Sequence, residues 1–282
     1  MMGAMVRRAL VLGGGGVTGI AWEWGLLAGL GAGGVDLTDA DLVVGTSAGS
    51  VVGAQVAAGL DPEQRYQAQL APADGEVAAV LGPAVVLRYG LAMVGPRSPQ
   101  RFRARLGRSA LRARTGPESR RVEVIASRLP VREWPDRRLL LTAVDAQTGE
   151  FRVFDRESGV PLTLAVAASC AVPLVWPPVT IDGRRYIDGG VRSGTNADLA
   201  AGYDRVVVLA PLTRGFGPMI GAHAQVDALR PRSTVVLVSP DRAALRAIGR
   251  NVLDPTKRAA AARAGRAQAA TALDQVRTVW RG

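Results

Sequence analysis

A chain of 282 residues, 48% of them hydrophobic, can bury a large core as one big α/β domain or two small ones, and no linker, repeat or low-complexity run divides it. The net charge of +11 admits nucleic acid, an anionic membrane surface or an acidic substrate as partner; Lys257 is the only lysine, however, and the arginine excess comes with no zinc-finger or RNA-binding signature, so nucleic acid is not expected. The single cysteine, Cys170, excludes an intrachain disulfide and fits a reducing compartment.

Arg7 and Arg8 precede an uncharged stretch from Ala9 to Trp22 that has the outline of a signal peptide. Four consecutive glycines, Gly13 to Gly16, would each cost roughly 1 kcal/mol in a helix. Glu23 then interrupts the apolar run before it reaches membrane-spanning length, so the prediction is a cytosolic protein. Ala9 to Leu12 reads as a short buried strand, followed by a glycine loop and a helix with apolar spacing from Ile20 to Leu30. Leu42 to Val44 repeats the pattern, ending at Gly45 ahead of a small-residue helix from Ser47 to about Gly59, and two such units suggest neighbouring parallel strands.

From Asp61 to Arg121 six prolines, Pro62, Pro72, Pro83, Pro96, Pro99 and Pro117, divide short helical pieces, and residues 61–121 are expected to form an insertion covering one face. Nine arginines crowd its second half: Arg97, Arg101, Arg103, Arg105, Arg108, Arg112, Arg114, Arg120 and Arg121. They could dock on anionic lipid, or simply form a solvated helix face. Strands are predicted at Arg138 to Ala143 and at Phe151 to Phe154, paired across Gln147 to Glu150, and a helix precedes Pro173. Tyr186 and Ile187 lead into Asp188-Gly189-Gly190; Val206 to Leu209 and Val235 to Val238 continue the sheet with a helix between them. Asp254 to Trp280, rich in Ala and Arg, reads as a long solvent-facing helix.

Gly45-Thr46-Ser47-Ala48-Gly49 has the G-x-S-x-G form of a nucleophile elbow, in which a sharp strand-to-helix turn projects a serine hydroxyl from the sheet. The loop Gly14-Gly15-Gly16-Val17-Thr18-Gly19 also fits G-x-G-x-x-G, so a dinucleotide-binding domain using Gly14 to Gly19 is an alternative, with Asp36, Asp39 or Asp41 near the spacing of a ribose-binding carboxylate. Against that, Asp36 and Asp39 precede the second apolar run and that run ends in the serine elbow; the same glycine amides could instead form an oxyanion hole. A serine needs a base. The only histidine, His223, lies in a segment with the spacing of an amphipathic helix, which leaves a carboxylate as the base, and Asp188, ending a strand before two glycines, is the best candidate. Trp22 and Trp24 could line an acyl pocket, with core packing the default, and Cys170 sits among small apolar residues as a packed thiol.

The glycine loop, the elbow Gly45 to Gly49 and Asp188-Gly189-Gly190, in this order, resemble the three signatures of the patatin-like phospholipase family, as does Ala168 to Pro173 followed by Trp176-Pro177-Pro178. The resemblance implies a three-layer α/β/α sandwich around a mostly parallel sheet, with a catalytic core over residues 9–203 and residues 204–282 completing the fold. It implies a Ser47–Asp188 dyad, oxyanion-hole amides at Gly14, Gly15, Gly16 and Val17, motif glycines Gly19, Gly45, Gly49, Gly189 and Gly190, a lipid or other acyl-ester substrate, and neither metal nor cofactor. An inactive lipid-binding relative would share these motifs. Thr18 stands where many members carry Arg or Lys, so that charge is missing beside the loop.

Overall fold

The computed structural model describes residues 6–72, 79, 83–94 and 98–282; Pro96 and Arg97 of the basic stretch lie outside them. Eight strands make one sheet: β1 (Arg8–Leu12), β2 (Leu42–Gly45), β3 (Arg138–Asp145), β4 (Phe151–Phe154), β5 (Val179–Ile181), β6 (Arg184–Asp188), β7 (Arg205–Leu209) and β8 (Thr234–Val238). Their order is β5-β6-β3-β2-β1-β7-β8, with β4 pairing β3. The five strands from β3 to β8 in that order run parallel, and β4, β5 and β6 join antiparallel. β5 escapes a sequence reading because three residues carry too little period; it pairs with β6 across Asp182 and Gly183, both in the left-handed region.

The described residues hold ten α-helices in chain order: α1 (Gly16–Ala32), α2 (Ala48–Ala57), α3 (Pro62–Leu70), α4 (Pro83–Met93), α5 (Pro99–Leu111), α6 (Glu118–Arg128), α7 (Leu162–Ser169), α8 (Ala222–Leu229), α9 (Arg242–Ile248) and α10 (Arg258–Arg281). Strand alternation sorts the layers. Leu10 and Leu12 point into the core under α1, α2, α7 and α10, whereas Ala9 and Val11 face α8 and the turn at residues 197–200. Three prolines of the 61–121 segment start helices instead of breaking them, since the first helical position needs no N–H. Asp61 and Ser98 cap α3 and α5 by accepting from Gln64 N and Arg101 N. The basic residues of α5 are partly committed to loop carbonyls: Arg103 donates to Gly149 O at 2.8 Å, and Arg105 to Val94 O.

The terminal helix faces solvent on one side only. Ala261, Ala262, Gly265, Ala269, Ala272, Val276 and Trp280 of α10 are buried, and the helix lies along α1. Alanine there serves as a small interface residue as well as a helix former. The backbones approach so closely that a Cβ on Gly25 would stand 2.0 Å from Ala262 O, and one on Gly265 2.3 Å from Trp22 O. Gly25→Val is therefore expected to lower the thermal midpoint by roughly 4–10 °C, read by circular dichroism. Trp22 and Trp24 are core residues, their indole N–H groups donated to Gln268 and Gln55.

Candidate active site

β2 ends at Gly45 and α2 begins at Ala48, so the chain must reverse within two residues. Ser47 takes up that turn with φ 53° and ψ −118°, a conformation disfavoured for any side-chain-bearing residue. The strain is offset by anchors on both sides of the residue. Ser47 N–H donates to Ser169 Oγ at 3.0 Å, and its carbonyl accepts from Ser50 Oγ at 2.6 Å and from the Cys170 thiol at 3.1 Å. Gly49 lets α2 start directly over β1: its N–H donates to Gly13 O at 3.0 Å, and a Cβ would sit 2.1 Å from Leu12 O.

The glycine loop leaves β1 beside this turn. A Cβ on Gly14 would be 3.3 Å from Ser47 Cβ. Gly13 N–H is donated to Leu209 O and Gly14 N–H to Gly194 O at 2.8 Å, so the Gly14 amide is turned away from the serine and engaged elsewhere. Among the described residues the N–H groups of Gly15, Gly16 and Val17 meet no acceptor, as expected of the first turn of a helix. Thr18 is fully buried, and both its N–H and its hydroxyl donate to Val252 O at 3.2 Å, so this neutral side chain braces the loop from beneath.

Strand register brings Asp188 to the same place. Gly45 lies beside Leu141, the Thr46 and Thr142 hydroxyls are 2.9 Å apart, and Ala143, one step further, is paired with Asp188. The Ser47 hydroxyl lowers the proton affinity of the Asp188 carboxylate, whose Oδ1 accepts Gly190 N–H at 2.7 Å. Burial raises the Asp188 pKa to about 6; the Ser47 hydroxyl, the Gly190 hydrogen bond and the Arg121 charge oppose that rise without cancelling it.

Asn196, which no sequence motif marks, ties these pieces together. From a left-handed backbone its Nδ2 lies within 2.9–3.3 Å of Thr46 Oγ1, Thr142 Oγ1, Gly189 O and Ser193 O, so its two protons are shared between the elbow, β3 and the Asp188 turn. Its signal is spatial, spanning 150 residues from Thr46, and could not be read from spacing. Arg121 of α6 was visible only as one arginine in a basic run; it is buried, with its guanidinium 4.1 Å over the Trp176 ring and its charge acting on Asp188.

A cavity of about 180 Å³ opens over the serine, lined mainly by apolar groups. Its walls include Ser47, Asp188, Gly14 to Val17, Tyr89 of α4 and Met219. The other candidates stand apart from this chemistry. His223 is exposed on α8 and does not line the cavity. Cys170 lines it, but burial pushes its thiol pKa up and its proton is held by Ser47 O. Asp41 accepts Arg8 N–H, Asp39 pairs with Arg8, and Asp36 closes its own turn onto Thr38. All three precede β2, at the opposite end of the parallel strands from the glycine loop, where no carboxylate could reach a ribose held there. Glu23, on the helix behind the loop, is fully buried, with its pKa driven well above the ordinary value by desolvation. The Gly13 N–H offers it only a weak offset, being already bonded to Leu209 O at 2.9 Å.

The solved structures that the chain resembles are distant. VipD from Legionella pneumophila is 13% identical with a TM-score of 0.48, over 96% of this chain and 67% of its own. The type III effector ExoU is 15% identical with a TM-score of 0.42, over 96% and 53%. Human GIVD cytosolic phospholipase A2, in complex with methyl gamma-linolenyl fluorophosphonate, is 12% identical with a TM-score of 0.40, over 98% and 59%. This chain thus spans little more than half the length of the last two. No curated protein matches it. The patatin-like phospholipase model matches residues 10–201, which contain the glycine loop, the serine elbow and the Asp188 turn, and the chain belongs to that family.

Proposed function

We propose that the protein hydrolyses acyl esters of lipids through a covalent acyl-Ser47 intermediate, with Asp188 as the only side-chain base. The observation that carries this reading is that Ser47, on its strained elbow, and a buried Asp188 carboxylate whose pKa is raised to about 6 line one cavity. Such a carboxylate is a far better proton acceptor than an exposed one, yet is mostly ionised at neutral pH.

Ser47 Oγ attacks the acyl carbonyl as its proton passes to Asp188. The carbonyl oxygen, now negative, is met by the N–H groups of Gly15, Gly16 and Val17, and the start of α1 adds its positive dipole end. Collapse breaks the ester bond, and the departing alcohol takes the proton from Asp188. A water then gives a proton to Asp188 and attacks the acyl-serine; as the acyl–oxygen bond breaks, Asp188 returns that proton to Ser47 Oγ, releasing the acid and restoring the serine. The apolar cavity favours an acyl chain over a charged one. A lipid substrate further implies peripheral contact with a membrane, to which the basic insertion is electrostatically suited; no described helix is long and apolar enough to cross one.

Labelling with a fluorophosphonate, followed by peptide mass spectrometry, tests the reading without a known substrate. An adduct on Ser47 is expected, and its absence from folded protein that still binds lipid would make this an inactive relative. His223→Ala should leave turnover of p-nitrophenyl butyrate unchanged.

The base must be ionised to act, so kcat/KM for the soluble ester is expected to rise through pH 6 to a plateau above it. Arg121→Met removes a cation that holds the Asp188 pKa down, so the acid limb of that profile should move to higher pH. An unmoved limb in a folded variant would remove Arg121 from the electrostatics of the site.

A further inference from the structure

Eight large hydrophobic residues are strongly exposed among the described residues, and six of them fall on two short segments: Leu87, Leu91 and Val94 on and just after α4, and Leu212, Phe216 and Ile220 in the loop after β7. On α4 the spacing is i, i+4, i+7, a single stripe. Its opposite side is already used, since Ala92 is buried and Tyr89 and Met93 pack into the core between α5 and β6. A helix apolar on both sides is normally covered on both, and among the described residues α4 is not.

The two segments form one rim. The Tyr89 and Phe216 rings meet edge to face at 6.2 Å, and Gly217 lies so close to Met93 that a Cβ would fall 2.3 Å from its Sδ. The loop is held in shape by Ile220 N–H to Arg192 O at 3.1 Å and Ala222 N–H to Thr213 O at 3.0 Å. The rim is also the mouth of the catalytic cavity, because Tyr89, Leu212, Arg214 and Met219 line both.

Charge selects the occupant. Neither residues 77–117 nor residues 205–226 contain an aspartate or glutamate, while exposed Arg88 and Arg214 sit within the rim. A second copy docked symmetrically would oppose arginine to arginine with no carboxylate on either segment to pair them. An anionic lipid surface accepts both features, taking leucine and phenylalanine below the head groups and arginine at their level.

We propose that this rim is the face by which the protein docks on an anionic bilayer, so that the Ser47 cavity opens directly onto the lipid. The occupant rests on the lipid-hydrolase reading, and the two are separable because binding is measured without turnover and turnover without a membrane.

The experiment uses full-length Ser47→Ala protein sedimented with vesicles of phosphatidylcholine alone or mixed with phosphatidylglycerol. Binding to the mixed vesicles is expected, weakening as salt is raised. Adding Leu87→Ser and Leu91→Ser should reduce it by about tenfold or more. With Ser47 intact, the same two substitutions should leave p-nitrophenyl butyrate turnover within about twofold of the parent, because neither side chain lines the cavity. Arg88→Glu, which keeps the apolar stripe, should weaken binding to the mixed vesicles alone. Three results would each overturn the proposal: undiminished binding by the leucine or Arg88 variants, no vesicle binding by the parent, or a parental dimer that the leucine substitutions dissolve. Loss of soluble-ester turnover in the wild type would instead sink the hydrolase reading and leave the vesicle result standing.

Discussion

Ser47→Ala is expected to reduce turnover of p-nitrophenyl butyrate by about 10⁵-fold, to the residue of rate that a preformed oxyanion site can supply by itself. The side chain is the proposed nucleophile, and no neighbour replaces it. Ser50 Oγ is spent on Ser47 O at 2.6 Å and Ser169 Oγ on Ser47 N–H at 3.0 Å, while the Cys170 thiol is held protonated by burial. Folding should be almost untouched, because the contacts that hold the elbow are made by the Ser47 backbone, which alanine keeps. Alanine at φ 53° bears the same strain as serine. The decisive comparison is therefore rate against thermal midpoint. A variant that melts with the wild type and retains more than about a hundredth of the rate would place the nucleophile elsewhere.

Asp188→Asn is the second large effect, an expected loss of about 10³- to 10⁴-fold. The amide fills the same space and can still accept Gly190 N–H, so geometry survives while the proton acceptor is lost. Stability should move the other way. The folded pKa of Asp188 is raised from 3.8 to about 6, so the folded state holds this proton more tightly than the unfolded chain does. Below pH 3.8 both states are protonated and the preference for the neutral form is fully present; it is lost as pH rises through about 6. Asparagine never ionises, so the variant should melt at a higher temperature than the wild type at pH 8, with the advantage shrinking toward pH 4. Lower activity with higher stability at pH 8 would separate a catalytic role from a structural one. If activity persisted in Asp188→Asn and vanished in His223→Ala, the base would be the histidine.

The elbow and the glycine loop were legible because each is a short apolar strand, a cluster of glycines and a helix, and that local pattern leaves the backbone few choices. Asp188 was less legible, since a strand end followed by two glycines is also an ordinary turn; the family resemblance and the helical setting of His223 pointed to it. What could not be read is what depends on distance through space. Asn196 has no neighbours in sequence that announce its contacts with Thr46, Thr142 and Gly189. The engagement of the Gly14 N–H depends on Gly194, which arrives from far along the chain. Alanine and arginine in α10 signalled helix and one exposed face but not the buried face, because small residues suit a close helix pair as well as they suit solvent. The apolar pieces of α4 looked like fragments of a cover, and only the assembled fold shows which side of that helix is left bare.

The bracing of the glycine loop also sets an order of events. The loop follows the first strand, but its supports come late: β7 pairs with β1 from Arg205 onward, Val252 O receives both Thr18 donors, and α10 closes on α1 only after residue 258. Contacts so far apart in sequence are slow to form, and a chain made from its N-terminus cannot form them until its last third has emerged. Fluorophosphonate labelling of ribosome-held chains of increasing length should accordingly stay near background through residue 201 and rise only once α10 is complete. An early rise would mean that the loop shapes itself. A loop braced in this way would gain its reactivity only after the strands and the helix that follow it in the chain have folded.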